Sequence, residues 1–413
     1  MKDKKGNYID LFSGCGGFSL GLGNAGWQGL FAIEKDSMAF ETFKFNLIDG
    51  QYSHFSWPDW LPQEPTTIQS ILDNYPEELK KLRGSVDLIA GGPPCQGFSL
   101  AGKRKSDDPR NKLAQEYIKV VDLVRPNYVV IENVRGFNSA FNTAGQPSKQ
   151  PYSMVVKSQL EELGYKVFHD YVNCEQFGVP QQRTRFLMIG ILEKLTSNNA
   201  KNPFELLNEI RKSFLENKGL PNRPITVKEA INDLEICKDD ARLIYHSGAG
   251  DKGFKQLNYT PPENLNSYLS LMRKGLNGTK PNSLRLARHR SSTIAMFHKI
   301  QSIARPGIAL NQAEKDKLGI KKQATCVLNA DKPSKTLTTL PDDLLHYREP
   351  RILTVRESAR IQSFPDDFAF KGKYTTGGKS RTKECPRYTQ VGNAVPPLLG
   401  EVIGLLIEKL KDA

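Results

Sequence analysis

Between Tyr8 and Ile191 short apolar runs alternate with longer amphipathic stretches, and nothing else in the chain narrows its fold as much. Strands of a sheet covered on both faces read as continuous apolar runs, and parallel neighbours need a crossover of about a dozen residues or more between them. Five runs meet that description, at residues 8–12, 30–34, 86–90, 128–132 and 185–191. The stretches 113–124 and 153–163 read as helices, and Gly164 stops the second. The pattern predicts a doubly wound α/β fold with helices on both faces of a parallel sheet.

After Ile191 the texture changes to Asn, Lys, Pro and Ser punctuation with weak periodicity, which continues to about residue 350. This reads as a separate, smaller and irregular domain. Pro396 and Pro397 then precede an apolar-faced helix at 398–410, a return to the first domain, so the second domain is an insertion. The expected division is 1–191, 192–350 for the insertion, 351–387 for a hinge with a basic segment, and 388–413 for the return.

Lys and Arg outnumber Asp and Glu by 58 to 45, giving +13 and a pI near 9.3. That balance suits a polyanionic partner better than an acidic small molecule. The six cysteines are scattered, with no C-x-x-C pair and no His at zinc spacing, so neither a disulfide framework nor a metal site is expected. A reducing, cytoplasmic compartment is expected, with the protein associated with the nucleoid. No apolar run approaches the ~20 residues that cross a bilayer, so no membrane partner is expected.

In open parallel sheets ligands bind beyond the carboxyl ends of the strands. The first run ends in Asp10-Leu11-Phe12-Ser13-Gly14-Cys15-Gly16, a glycine turn that lets backbone approach a ligand. The second ends at Glu34, 20 residues after Gly14, where an acid can accept from the ribose hydroxyls of an adenosine cofactor. The third delivers Gly91-Gly92-Pro93-Pro94-Cys95, a thiol exposed and held by a flexible pair and a rigid pair. The fourth delivers Glu132-Asn133-Val134, 37 residues after Cys95, so a carboxyl group and a thiol should face one crevice.

The segments IDLFSGCGGFSLGL, GGPPCQGFS, VVIENV, QQRTR, RILTVRESARIQSFPDDF and QVGNAVPP stand in the order and rough spacing typical of the DNA (cytosine-5)-methyltransferases, and the chain resembles that family, in its bacterial restriction-modification form, from Ile9 to Pro397. The resemblance implies a Rossmann-like S-adenosylmethionine-dependent methyltransferase domain carrying an inserted, smaller target-recognition domain. It implies that a cytosine is flipped from double-stranded DNA, that the Cys95 thiolate adds to C6, and that the methyl group goes to C5. Glu132 would supply a hydrogen bond or proton at N3. Arg185, and secondarily Arg183, would hold the cytosine O2 and orient Glu132. For S-adenosylmethionine, Phe12 would stack on the adenine and Glu34 bind the ribose, with Asp10, Gly14, Gly16, Leu113 and Asn393 lining the rest. A monomer is expected, and a cognate restriction endonuclease is carried as an open partner.

Two positions depart from the family pattern. Lys35 follows Glu34 where many relatives carry an aromatic residue, which leaves Trp57 or Trp60 to stack on the second adenine face. Thr67-Ile68 stands where an Asp is usual.

From Asn264 to Ala313 there is no Asp or Glu, while eight Lys and Arg are present. A solvated surface normally mixes signs, so this stretch is the expected DNA contact, through Arg273, Lys274, Arg285, Arg288 and Arg290. Gln96, Ser99 and Arg110, near Cys95, are expected to touch DNA as well. Three rivals stay open. A tRNA cytosine-5 methyltransferase would share the motifs, though PPCQGFS and the long insertion favour DNA. An NAD- or FAD-dependent oxidoreductase would use Gly14 and Glu34 but has Ser19 at the third glycine position and no use for PPC or QQRTR. A catalytically dead DNA-binding relative would not need Cys95, Glu132 and Arg185 intact.

Overall fold

The computed structural model describes residues 5–94, 111–139, 150–196, 201–236, 242–246, 254–276, 278, 280–322, 324–376, 380 and 383–411. The chain divides into two units, Met1–Asn173 with Thr184–Lys212 and Leu399–Ala413, and Cys174–Arg183 with Ser213–Leu398.

In the first unit the order is β1 (Asn7–Leu11), α1 (Gly17–Asn24), β2 (Gln28–Ile33), α2 (Ser37–Leu47), α3 (Ile68–Asn74), α4 (Pro76–Lys81), β3 (Leu88–Gly91), α5 (Asn111–Val124), β4 (Tyr128–Asn133), α6 (Tyr152–Glu162), β5 (Tyr165–Asn173) and β6 (Thr184–Leu192). One sheet runs β2-β1-β3-β4-β6-β5. Strands β1 to β4 are parallel, and β6 is antiparallel to both β4 and β5. The chain leaves β1 for β2 on one side and returns to β3 on the other, the reversal of strand order where such sheets open a ligand crevice.

All five expected strands form, with shifted ends. Two features differ from the expectation of a purely parallel sheet. β5 was not expected, because its inward and outward residues alternate as an edge strand's do and leave no continuous apolar run. β6 is antiparallel, because only Cys174–Arg183 joins it to β5, too short a link for a helical crossover.

Helix α5 lies on the sheet through Ala114, Tyr117, Ile118, Val121 and Val124, spaced at i, i+3, i+4, i+7 and i+10, against Ile9, Ile89 and Val129. Each such aliphatic side chain, fully buried, stabilises the fold by about 1.5–3 kcal/mol. The buried Tyr117 hydroxyl donates to the carbonyls of Ile89 (3.0 Å) and Val130 (3.2 Å), which fixes α5 between β3 and β4. The apolar helix expected near the C-terminus forms as Pro397–Lys411, proline first. Its Gly404 carbonyl accepts from Trp27 Nε1 at 3.0 Å. Contrary to the reading that no apolar run approaches membrane-spanning length, the stretch Arg387–Lys411 does so by length and composition. Its most apolar window is 83% buried, as befits a core helix.

The second unit is held by buried charge. Among its helices are α7 (Ser291–Ile303), α8 (Val355–Ile361) and α9 (Arg387–Asn393). Thr354 and Glu357 form a capping box that starts α8. Arg360 is fully buried between Asp233 and Asp366, with Nε and Nη2 at 2.8 and 2.7 Å from the latter. Arg351 grips Glu357 with two bonds of 2.7 Å. Arg356 donates to the carbonyls of Asn282 (2.8 Å), Pro365 (2.9 Å) and Phe368 (2.7 Å). A buried ion is costly unless it is paired and hydrogen-bonded, and these three arginines are. Residues 351–387 thus lie within the second unit.

Candidate active site

The crevice begins at the turn after β1. Phe12 has φ 64, a conformation uncommon outside glycine, and Gly14 (φ 57) and Gly16 (φ 94) continue the left-handed path. A Cβ added at Gly14 would meet nothing within 4 Å, so among the described residues the space above the turn is open. Glu34 closes the turn from β2: one oxygen accepts from the Gly14 amide at 3.0 Å, the other from the Asp36 amide at 2.7 Å. Burial raises its pKa above the ordinary carboxylate value, against the pull of those amides. Asp36 in turn caps α2, accepting from the amides of Met38 and Ala39. Asp10, 1% exposed, accepts from Ser19 Oγ at 2.5 Å and so ties the end of β1 to α1. Burial pushes the Asp10 carboxyl up to about 7.

Beyond β3 the glycine pair permits two close approaches. A side chain at Gly91 would strike the Leu11 carbonyl oxygen, and a Cβ at Gly92 would lie 3.1 Å from a Glu132 carboxylate oxygen. Asn133 Nδ2 donates to the Pro93 carbonyl at 3.0 Å, tethering the segment that leads to Cys95 to the end of β4. Cys95 itself lies outside the described residues, as do Gln96, Ser99 and Arg110.

Glu132 meets Arg185 Nε at 2.6 Å, the side chains 11% and 9% exposed. The register explains the meeting. Glu132 pairs with Leu187 across β4 and β6, so both point to one face, and Arg185 lies two residues along on that same face. Arg185 Nη1 also donates to the Thr184 carbonyl at 2.9 Å.

Arg183 belongs to the second unit. Its guanidinium donates there to Gln181 Oε1 (3.3 Å) and to the carbonyls of Leu337 (3.2 Å), Gly392 (3.0 Å) and Ala394 (3.2 Å). Asn393 is exposed at the end of α9 in that unit. Leu113 is half-buried on α5, and Lys35 is exposed. Trp57 and Trp60 pack against the core of the first unit, Trp57 donating to the Leu61 carbonyl at 2.8 Å and Trp60 lying edge-on to Phe31. Thr67 caps α3 through its hydroxyl. Among the basic candidates Lys274, Arg288 and Arg290 are exposed, whereas Arg273 and Arg285 are half-buried. Sequence reasoning missed Asn133 and Ser19, whose only signal is their nearness in sequence to Glu132 and to the glycine turn.

The sheet order, the glycine turn after β1 and the acid after β2 together define an α/β protein with a crevice suited to an adenosine-containing cofactor, and comparison with known proteins gives its class. The crystal structure of a protein described as a DNA modification methyltransferase encoded within an E. coli prophage shares the fold at a TM-score of 0.64 and 23% identity, covering 99% of this chain and 100% of that one. The family model described as C-5 cytosine-specific DNA methylase matches residues 6–409, and the chain belongs to that family. It is 33% identical to the Type II methyltransferase M.DdeI of Desulfomicrobium norvegicum, over 96% of this chain and 87% of that protein. It is 31% identical to the Type II methyltransferase M1.HphI of Haemophilus parahaemolyticus, over 98% of this chain and 87% of that protein. The protein is a DNA (cytosine-5)-methyltransferase, and the use of S-adenosylmethionine follows from its family.

Proposed function

We propose that the enzyme methylates C5 of a cytosine flipped out of duplex DNA, with Cys95 as a covalent nucleophile and Glu132 and Arg185 as the groups that prepare the ring. The observation that carries this reading is the ion pair of Glu132 and Arg185 at 2.6 Å, beside Gly92 and three residues short of Cys95 along the chain. C5 of cytosine is a poor nucleophile until a group adds at C6. The Cys95 thiolate forms the bond to C6, and the C5–C6 π pair moves toward C5 as a proton shared with Glu132 settles on N3. Arg185 fixes the carboxyl group and has a guanidinium donor left for the cytosine O2. Once C5 carries the methyl group, its proton passes to solvent and the C5–H pair re-forms the C5–C6 double bond. The C–S bond breaks with its pair leaving on the Cys95 thiolate, and N3 returns its proton to Glu132.

S-adenosylmethionine, when bound, supplies an electrophilic methyl group from its sulfonium. The first unit fits it: each Glu34 oxygen accepts one amide and keeps a lone pair for a ribose hydroxyl, and the space above Gly14 is open. Phe12 offers a ring for the adenine, Gly16 and Leu113 line the approach, and Asp10 braces the turn from below. The Type II names of the two relatives support a place in a restriction-modification system; action at a defined DNA sequence, as a monomer and alongside a cognate endonuclease, belongs to the same proposal. Target recognition is assigned to the second unit.

DNA carrying 5-fluorocytosine at the target tests the chemistry, because fluorine cannot leave C5 as a proton does. Enzyme, cofactor and this DNA should give a complex that survives a denaturing gel, and Cys95→Ala should abolish it. A complex trapped equally by the Ala variant would overturn the assignment.

A further inference from the structure

Helix α7 is 13 residues long, and Ile300 is its one buried residue. A helix on a globular protein normally buries three or four residues per two turns. Its inner side is held lightly, by Phe297 edge-on to His289 at 5.0 Å and by Gln301 Nε2 donating to the carbonyls of His346 and Glu349, both at 2.9 Å. The outer side carries Ser292, Ala295, His298, Lys299 and Ser302, all exposed and at helical spacing. Arg288 and Arg290, also exposed, lead into it. This face sits inside the stretch 264–313 that contains no acid. Among the described residues none of Arg288, Arg290 and Lys299 has a carboxylate within salt-bridge distance.

Two other arginines of the stretch are held differently. Arg285 is sandwiched between the rings of Phe254 (3.9 Å) and Tyr374 (3.6 Å). Arg273 stands over Tyr259 at 4.8 Å and 3.8 Å from Asp366. Both guanidinium groups are held against aromatic rings of the same unit.

We propose that the outer face of α7 docks on duplex DNA at the recognition site, Arg288 and Arg290 meeting phosphates and Ser292, His298 and Lys299 turned to base edges, while Arg273 and Arg285 are positioning residues. The occupant follows from charge: a face with three unpaired cations, in a length of sequence that carries no acid, suits a polyanion, and small residues such as Ser292, Ala295 and Ser302 let a helix approach base edges closely. This rests on the reading of the second unit as the recognition unit.

The test uses the full chain. Bisulfite sequencing of plasmid from cells expressing the wild type gives the target site. Affinities for that duplex and for a random one are then measured across a salt series. Arg288→Ala/Arg290→Ala should flatten the slope of log K on log salt by nearly two, at about 0.9 per phosphate contact, and weaken both duplexes alike. Ser292→Ala/His298→Ala/Lys299→Ala should lower discrimination between the duplexes at least tenfold. All five positions are exposed, and an unchanged melting temperature checks that the variants fold. Wild-type slope and wild-type discrimination in both variants would overturn the assignment of α7 while leaving target methylation intact. A wild-type enzyme that modifies no plasmid cytosine and binds no duplex would overturn the broader reading instead.

Discussion

Replacing Asp10 by Asn should stabilise the cofactor-free enzyme above neutral pH and do little for it in acid. Asp10 is 1% exposed, takes one side-chain hydrogen bond from Ser19, and has the Glu34 carboxylate near enough to raise its pKa further. Its carboxyl is pushed from 3.8 up to about 7, chiefly by burial. A folded-state pKa above the unfolded value means that Asp10's contribution to stability is full below about pH 4 and is lost as pH rises through about 7. At 1.36 kcal/mol per unit, the loss is on the order of 4 kcal/mol by pH 8 to 9. Asn keeps the shape and the acceptor for Ser19 but carries no charge to desolvate, so the variant escapes that loss. Urea unfolding of both proteins at pH 5.5, 7.0 and 8.5 should show the variant's advantage growing with pH, by at least about 1 kcal/mol across the series. A difference that stays constant over those three pH values would refute the argument, since it would mean that Asp10 ionises alike in the folded and unfolded chain.

Glu34→Ala should weaken S-adenosylmethionine binding roughly ten- to a hundred-fold by calorimetry, since charge-assisted hydrogen bonds are worth ~1.5–3 kcal/mol, and should leave cofactor-free DNA affinity unchanged. Arg185→Met strands the buried Glu132 carboxylate and should cost about 3–5 kcal/mol of stability in urea, most of it recovered when Glu132→Gln is added. Independent costs in that double-mutant cycle would dismiss the pair as a coupled unit. Arg285→Ala gives up two ring contacts worth about 0.5–2 kcal/mol each and should lower the melting temperature while leaving the salt dependence of DNA binding as it was. A flattened slope would return Arg285 to the DNA surface.

Much of the first unit was legible because its strands are covered on both faces and so read as continuous apolar runs. β5 was not, since Asp170 and Tyr171 interrupt its run where the edge strand faces solvent. The meeting of Glu132 with Arg185 was expected only from the family resemblance, since in a parallel sheet the end of one strand and the start of another lie at opposite edges; the antiparallel register of β6, which a sequence pattern does not display, brings them together. Charge was legible and its location was not. Arg273 and Arg290 look alike in the sequence, yet one faces Tyr259 and Asp366 and the other faces solvent. The partners that draw an arginine inward lie far along the chain, as Tyr374 does from Arg285. The same holds for residues 351–387, read as a hinge with a basic segment, whose Arg356 and Arg360 are fully buried.

The second unit is assembled from two separate lengths of chain, and the shorter, Cys174–Arg183, is bonded into its interior. Gln181 donates to Gln362 Oε1 at 2.5 Å and accepts from the Leu337 amide at 2.9 Å, while Arg183 holds the carbonyls at 392 and 394. Anyone grafting this unit onto another enzyme to transplant its DNA target would therefore be moving a discontinuous object. A cassette of residues 213–398 alone would arrive with Gln362, Leu337 and the 392–394 turn facing whatever the host supplies at positions 174–183. Where the host differs there, those buried polar groups lose their partners, and a hybrid can fail to fold even with every recognition residue intact.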